Sequence, residues 1–194
     1  TLLFCVTIIV SIINFVNFMD GIDGLVASCM LVSISTIFIL RDNPIYLMWS
    51  LGSLLGFLMK NWSPAKVFMG DVGSTFLGAY YSSLLFQSQD FYEAIGLLMI
   101  NGPLFLDSSF CVIRRIIHKQ NPFKAHRLHL YQRLVSAGLT HSKVSIIYCI
   151  STLLSSIVFI NLGLKYLTFI LLIQIILGIY LEKKIAKPFP KSII

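Results

Sequence analysis

The chain of 194 residues is 57% hydrophobic and only 12% charged, with a net charge of +7 and a mean hydropathy of +0.86. A soluble domain carries about a quarter charged residues, so a water-soluble globule is excluded. Lys and Arg gathered on one side of a membrane account for the basic balance without invoking nucleic acid.

Apolar runs recur along the whole length. In lipid each run must satisfy its own backbone, which leaves helices or a closed barrel. Runs such as Leu25 to Leu40 do not alternate as barrel strands do. The sequence therefore predicts an all-α, polytopic transmembrane helical bundle, forming one integral-membrane domain over 1–194. Seven spans are predicted, over roughly 2–16, 24–40, 45–60, 74–89, 94–113, 144–161 and 165–181. Several fall short of the about 20 residues that a bilayer requires, so flanking residues complete them or the helices break at polar motifs. Alternation of sides puts 17–23, the end of the third span with Lys60, 61–73, 114–143 and the basic tail 182–194 on one face. That face collects 13 of the 15 Lys and Arg residues and leaves Arg41 and Lys165 opposite. The positive-inside bias assigns it to the cytoplasm. Cys5, Cys29, Cys111 and Cys149 sit inside apolar runs without Cys-x-x-Cys spacing, and read as packing residues.

Three polar clusters fall on that face. The first is Asn14-Phe-Val-Asn17-Phe-Met-Asp20-Gly21-Ile-Asp23-Gly24-Leu25. Its carboxylate and amide oxygens suit a hard cation such as Mg²⁺, or sugar hydroxyls. A plain turn explains one Asp-Gly, but explains the doubled pattern with upstream amides less well. The second, Phe68-Met69-Gly70-Asp71-Val72-Gly73-Ser74, leads a glycine-rich turn into a helix. A helix start with open N–H groups receives phosphate, and Asp71 beside it suits a metal bridging to the same phosphates. The alternative is that Ser74 or Thr75 caps the helix. The third comprises Asp107, Arg114 and Arg115, then Pro122-Phe123-Lys124-Ala125-His126-Arg127-Leu128-His129-Leu130-Tyr131-Gln132-Arg133-Leu134. Arg127 and Arg133 offer forked donors for phosphate, and His126 and His129 share a face if the segment is helical. A solvated basic loop that attracts anionic headgroups is the alternative. Asp107, near the end of an apolar span, is a candidate functional acid, or a structural one if it pairs with Arg114 or Arg115. Acidic and cationic clusters of these kinds on one face are the parts that phosphoryl transfer on a nucleotide calls for.

In these motifs the chain resembles the polyprenyl-phosphate N-acetylhexosamine-1-phosphate transferases, from Asn14 to about Leu134. The His-Arg-x-His-Leu-Tyr-Gln-Arg-Leu pattern is similar to the O-antigen and lipopolysaccharide branch, not to the His triplet of the peptidoglycan branch. The resemblance implies transfer of sugar-1-phosphate from a UDP-N-acetylhexosamine to undecaprenyl phosphate, with UMP released, at the bacterial inner membrane. It implies Mg²⁺, or Mn²⁺ in its place, held by Asp71, with Asn17 a candidate second ligand or a nucleotide contact. It implies Asp20 and Asp23 facing the nucleotide sugar and Phe68 on the uracil. Asn14, Gly70, Gly73, Ser74 and Arg133 would complete substrate binding, with Arg127 and His129 on phosphates. A homodimer is compatible with it.

One departure stands out. The family carries an adjacent aspartate pair in an earlier loop and more spans than seven, and no Asp-Asp occurs in this chain. Both fit a chain without its N-terminal third, which is expected to be inactive alone, leaving a non-catalytic remnant of the fold as one alternative. A transporter is another, and predicts charges deep within several spans, whereas only Asp107 lies near one. A CDP-alcohol phosphotransferase requires Ala-Arg after the first Asp-Gly, a pattern that Val26-Ala27-Ser28 breaks.

Overall fold

The computed structural model describes residues 2–121, 124 and 126–190. Among these the chain is helical without strands, in the order α1 Leu2–Met19, α2 Leu25–Leu40, α3 Ile45–Asn61, α4 Gly70–Phe86, α5 Phe91–Ile100, α6 Gly102–Ile117, α7 Leu130–Ser136, α8 His141–Leu162 and α9 Leu164–Lys184. Helices α1, α8 and α9 are long and apolar enough to cross a membrane. The pair α5 and α6, bent by 73°, makes a fourth if it is one span. Helices α2, α3 and α4 form where spans were expected, but at 16 or 17 residues they are short for a bilayer.

Two of the differences from the expected spans bear on the site. The segment predicted as one span over 94–113 breaks at Asn101, and α6 restarts with Pro103 in its first turn. Pro103 has no N–H to continue the ladder, and its ring clashes with the turn before it, so the direction changes there. Helix α4 begins at Gly70 instead of near 74, so Asp71, Gly73 and Ser74 ride on its first turns. Of the third cluster, Pro122, Phe123 and Ala125 lie outside the described residues, as do Thr1 and Lys191 to the end of the tail.

Small residues set the closest helix approach. A Cβ added at Gly78 would lie 2.7 Å from the Ile13 Cα, so α1 and α4 touch backbone to backbone. That contact carries the end of α1 to the start of α4. Midway along the bundle, polar pairs join helices across the apolar core. Ser33 donates to Asn101 Oδ1 at 3.0 Å, the Thr36 and Ser156 hydroxyls are 2.5 Å apart, and Gln174 donates to Ser155 Oγ at 2.9 Å. Without water at that depth, such groups find partners in one another.

The two ends of the bundle are unlike. At one, Arg41 after α2 pairs with Glu93 in α5 at 3.0 Å and donates to the Leu84 carbonyl at 2.7 Å. At the other, the starts of α2, α4, α7 and α8 meet the ends of α1 and α3.

Candidate active site

The first and second clusters meet through Asn17. Its amide donates to Asp71 Oδ1 at 3.1 Å and to Ser74 Oγ at 2.9 Å. Ser74 is buried and donates to the Gly70 carbonyl at 3.0 Å, and Thr75 donates to the Asp71 carbonyl at 2.5 Å. Neither hydroxyl caps α4, whose N-cap Met69 makes no side-chain bond. The first-turn N–H groups of that helix are therefore open to an acceptor. Phe68, 74% exposed, and the exposed Asp71 stand at this mouth. Asn14 lies a turn further back, exposed and donating only to the Val10 carbonyl of its own helix. Asp20 is half-buried just past the end of α1. Burial, and next the charge of Asp71, push its carboxyl up to about 6. A carboxyl whose ionisation a neighbouring carboxylate opposes, with an amide beside the pair, forms an arrangement that a cation relieves.

Asp23 has a different setting. Its Oδ2 accepts from Ala65 N at 3.2 Å and lies 3.3 Å from His141 Nδ1, while its carbonyl accepts from Ser145 at 2.7 Å. Asn61 accepts from Gly24 N at 3.0 Å and donates to the Val67 carbonyl at 2.9 Å. Asp23 and Asn61 thus fasten the loop after α1 to the segment leading into α4 and to the start of α8. Sequence reasoning did not single out His141 or Asn61. The available signal was Thr140, which caps α8 by accepting from Lys143 N and so sets His141 at a helix start.

The third cluster is built on Asp107, which lies buried in α6. Its Oδ1 accepts from Leu130 N at 2.7 Å, and its Oδ2 accepts from Tyr131 N at 3.1 Å and from the Tyr148 hydroxyl at 2.7 Å. A carboxylate here takes two of the N–H groups that a helix start leaves unpaired. Asp107 therefore anchors α7 instead of pairing with Arg114 or Arg115. From α7 the Tyr131 hydroxyl donates to the Phe18 carbonyl at 2.9 Å. A Cβ at Gly21 would fall 2.1 Å from that hydroxyl, so only glycine lets the first cluster lie against Tyr131. All three clusters are thereby joined at one end of the bundle.

The cations of the third cluster divide. Arg133 is buried and donates to the Leu128 carbonyl at 3.1 Å, the Lys187 carbonyl at 2.9 Å and Glu182 Oε1 at 2.8 Å. Arg114 grips both oxygens of the same Glu182. Arg115 donates to the Asn121 and Lys124 carbonyls. Arg133, expected on substrate, is thus occupied within the protein, whereas Arg127 is exposed. His126 and His129 do not share a helix. Their rings stack at 5.1 Å on the segment before α7, with His129 buried between His126 and Tyr131. Burial, and then the charges of Arg115 and His129, push His126 down to about 4.

Residues 1–89 match the family model of glycosyl transferase family 4. The chain is 36% identical over 156 residues to the probable undecaprenyl-phosphate N-acetylglucosaminyl 1-phosphate transferase of Bacillus subtilis, covering 73% of this chain and 43% of that protein. It is 38% identical over 93 residues to the undecaprenyl-phosphate alpha-N-acetylglucosaminyl 1-phosphate transferase of Thermotoga maritima, covering 45% and 31%. It is 32% identical over 109 residues to the phospho-N-acetylmuramoyl-pentapeptide-transferase of Carboxydothermus hydrogenoformans, covering 54% and 31%. The matched stretch thus spans less than half of each relative. Residues 1–89 are thus similar to glycosyl transferase family 4, and the chain is similar to these transferases over up to 73% of its length.

Proposed function

We propose that this chain carries the metal and nucleotide-sugar part of a site that transfers N-acetylhexosamine-1-phosphate from a UDP-sugar to undecaprenyl phosphate. A phosphate oxygen of the lipid forms the new P–O bond at the phosphorus that bears the sugar, and the bond to UMP breaks. The products are a lipid-linked sugar diphosphate, which begins a cell-envelope polysaccharide, and UMP. The names of the relatives support the polyprenyl-phosphate acceptor and the amino-sugar phosphate. The surplus of Lys and Arg at the site's end supports a cytoplasmic setting at the bacterial inner membrane.

The observation that carries the reading is the Asp71, Asn17 and Asp20 group beside the open start of α4. Oxygen donors suit Mg²⁺, with Mn²⁺ as a substitute. Asp71 and Asn17 would hold the ion, with Asp20 as a second anion facing it. When bound, the ion neutralises the diphosphate and the departing UMP. The α4 N–H groups orient a phosphate, Phe68 offers a ring for the uracil, and Arg127 reaches the phosphates from the facing segment. Asp23, held by Ala65 and His141, keeps the Asp20 loop in place.

The test is UMP release in membranes from cells expressing the protein from its complete gene. UDP-N-acetylglucosamine and UDP-N-acetylgalactosamine are compared, with Mg²⁺ and with chelator. Lipid-dependent release that chelator and Asp71→Asn both abolish is expected. An Asp71→Asn protein with the full rate overturns the metal assignment.

A further inference from the structure

We propose that Cys111, His126 and His129 form a second metal site, for a soft divalent cation of the zinc class, separate from the oxygen-donor site at Asp71. The Cys111 sulfur and one ring nitrogen from each histidine lie within 4.8 Å of one another. Cys111 is 4% exposed and His129 2%, so two of the three donors are shielded from bulk water. One thiolate with two imidazoles is a donor set that suits zinc, whereas Mg²⁺ takes oxygen. This inference does not rest on the transferase reading.

The packing builds the cluster step by step. Asp107 and Cys111 are four residues apart in α6, one turn along the same face. By accepting from Leu130 N and Tyr131 N, Asp107 draws the start of α7 onto that face and brings His129 with it. His126 then stacks on His129. The buried Nδ1 of His129 has no hydrogen-bond partner and stands 3.8 Å from Asp107 Oδ1. Buried polar nitrogens are rarely left so. A metal-bound histidine commonly turns its other ring nitrogen to a carboxylate, and Asp107 is in position for that part.

Binding needs a small closure. Tetrahedral zinc with these bond lengths sets its donors roughly 3.5 Å apart, so the three must draw in by about 1 Å. His126 lies outside any helix, on the segment between α6 and α7, and can supply that movement. Its Nδ1 contact with Leu128 N is long, 3.3 Å, and yields to a metal–nitrogen bond. The thiol proton of Cys111 is released as the metal–sulfur bond forms, so the site gains one net positive charge. Asp107 offsets that charge among Arg114, Arg115 and Arg133, which also act on Cys111. Three protein ligands leave a fourth position for water or a phosphate oxygen.

The protein expressed from its complete gene, purified in detergent and stripped with chelator, is titrated with Zn²⁺ against a chromophoric competitor and with Co²⁺ followed by absorption. One equivalent of Zn²⁺ per chain and a thiolate-to-cobalt charge-transfer band in the near ultraviolet are expected. Cys111→Ser removes the band, and both it and His126→Ala weaken zinc binding by at least about tenfold with unchanged circular dichroism. Asp71→Asn leaves zinc binding intact, which separates this site from the other. Absence of stoichiometric zinc binding, or a band that survives Cys111→Ser, overturns the proposal.

Discussion

Replacing Gly78 by alanine should disturb the metal site from about two helical turns away. The added methyl would sit 2.7 Å from the Ile13 Cα and 3.3 Å from its carbonyl oxygen. Both are backbone atoms, so no side chain can swing aside. Carbon atoms in contact rest at about 3.5–4.0 Å, and α1 must therefore part from α4 by about 1 Å. The Asn17–Asp71 bond, 3.1 Å long, opens past hydrogen-bonding range with such a shift. Overpacking costs about 1–3 kcal/mol, and the lost orientation of Asp71 is expected to weaken Mn²⁺ on the order of tenfold, equivalent to about 1.4 kcal/mol. Electron paramagnetic resonance of Mn²⁺ in detergent reads the affinity, and thermal unfolding reads the stability. Ala79→Leu is the control, since Ala79 is exposed on the same helix. A Gly78→Ala protein with unchanged Mn²⁺ affinity and melting midpoint would refute the claim that this contact sets the site.

Because the Asp20 carboxyl is raised to about 6, its proton competes with the cation. Mn²⁺ binding should be full near pH 7 and weaken as pH falls through 6, and Asp20→Asn should flatten that profile in the same titration. The stability sign is opposite: without metal, the contribution of a raised carboxyl is complete below its ordinary value and is lost as pH rises through 6. The metal-free melting midpoint should therefore drop between pH 5 and pH 7, and added Mn²⁺ should restore it. Asp107→Ala strands two backbone N–H groups and the Tyr148 hydroxyl, and should cost about 3–5 kcal/mol in denaturant unfolding. Glu182→Gln removes the countercharge of Arg114 and Arg133. With its carboxylate 21% exposed, the loss should stay below the about 3–5 kcal/mol of a fully buried pair.

Several features are legible in the amino-acid sequence alone. The doubled Asp-Gly, the glycine turn at Asp71 and the basic surplus place the clusters at one end, and the contacts of Asn17 and Tyr131 join them there. The break at Asn101 is legible in kind, since Pro103 stands inside an apolar run, but hydropathy averages over it. What spacing and composition do not carry is how charges share partners across distant segments. Arg133 looks available for phosphate because its local sequence is basic. Glu182, which holds it, comes 49 residues later in α9. Asp107 reads as a functional acid or as a partner of the arginines that follow it, yet the helix start of α7 supplies its donors. His141 carries no local signal of its tie to Asp23, which lies 118 residues earlier. Spacing along a chain fixes which residues share a helical face, and it says nothing of which faces meet.

The polar pairs in the middle of the bundle act on the geometry of its end. Leucine against leucine lets one helix slide on another at little penalty. The Thr36–Ser156 and Ser33–Asn101 bonds do not slide, because they have a single length and direction. They work as detents. A slip of α2 by one residue against α8 and the α5–α6 break is about 1.5 Å, enough to undo both bonds and also to pull Asp23 from His141, 3.3 Å away. Replacing Thr36 and Ser156 by valine and alanine would leave a bundle with a sound melting curve and no fixed rung. Its loss would appear as blurred alignment at the mouth, where a displacement smaller than one residue already matters.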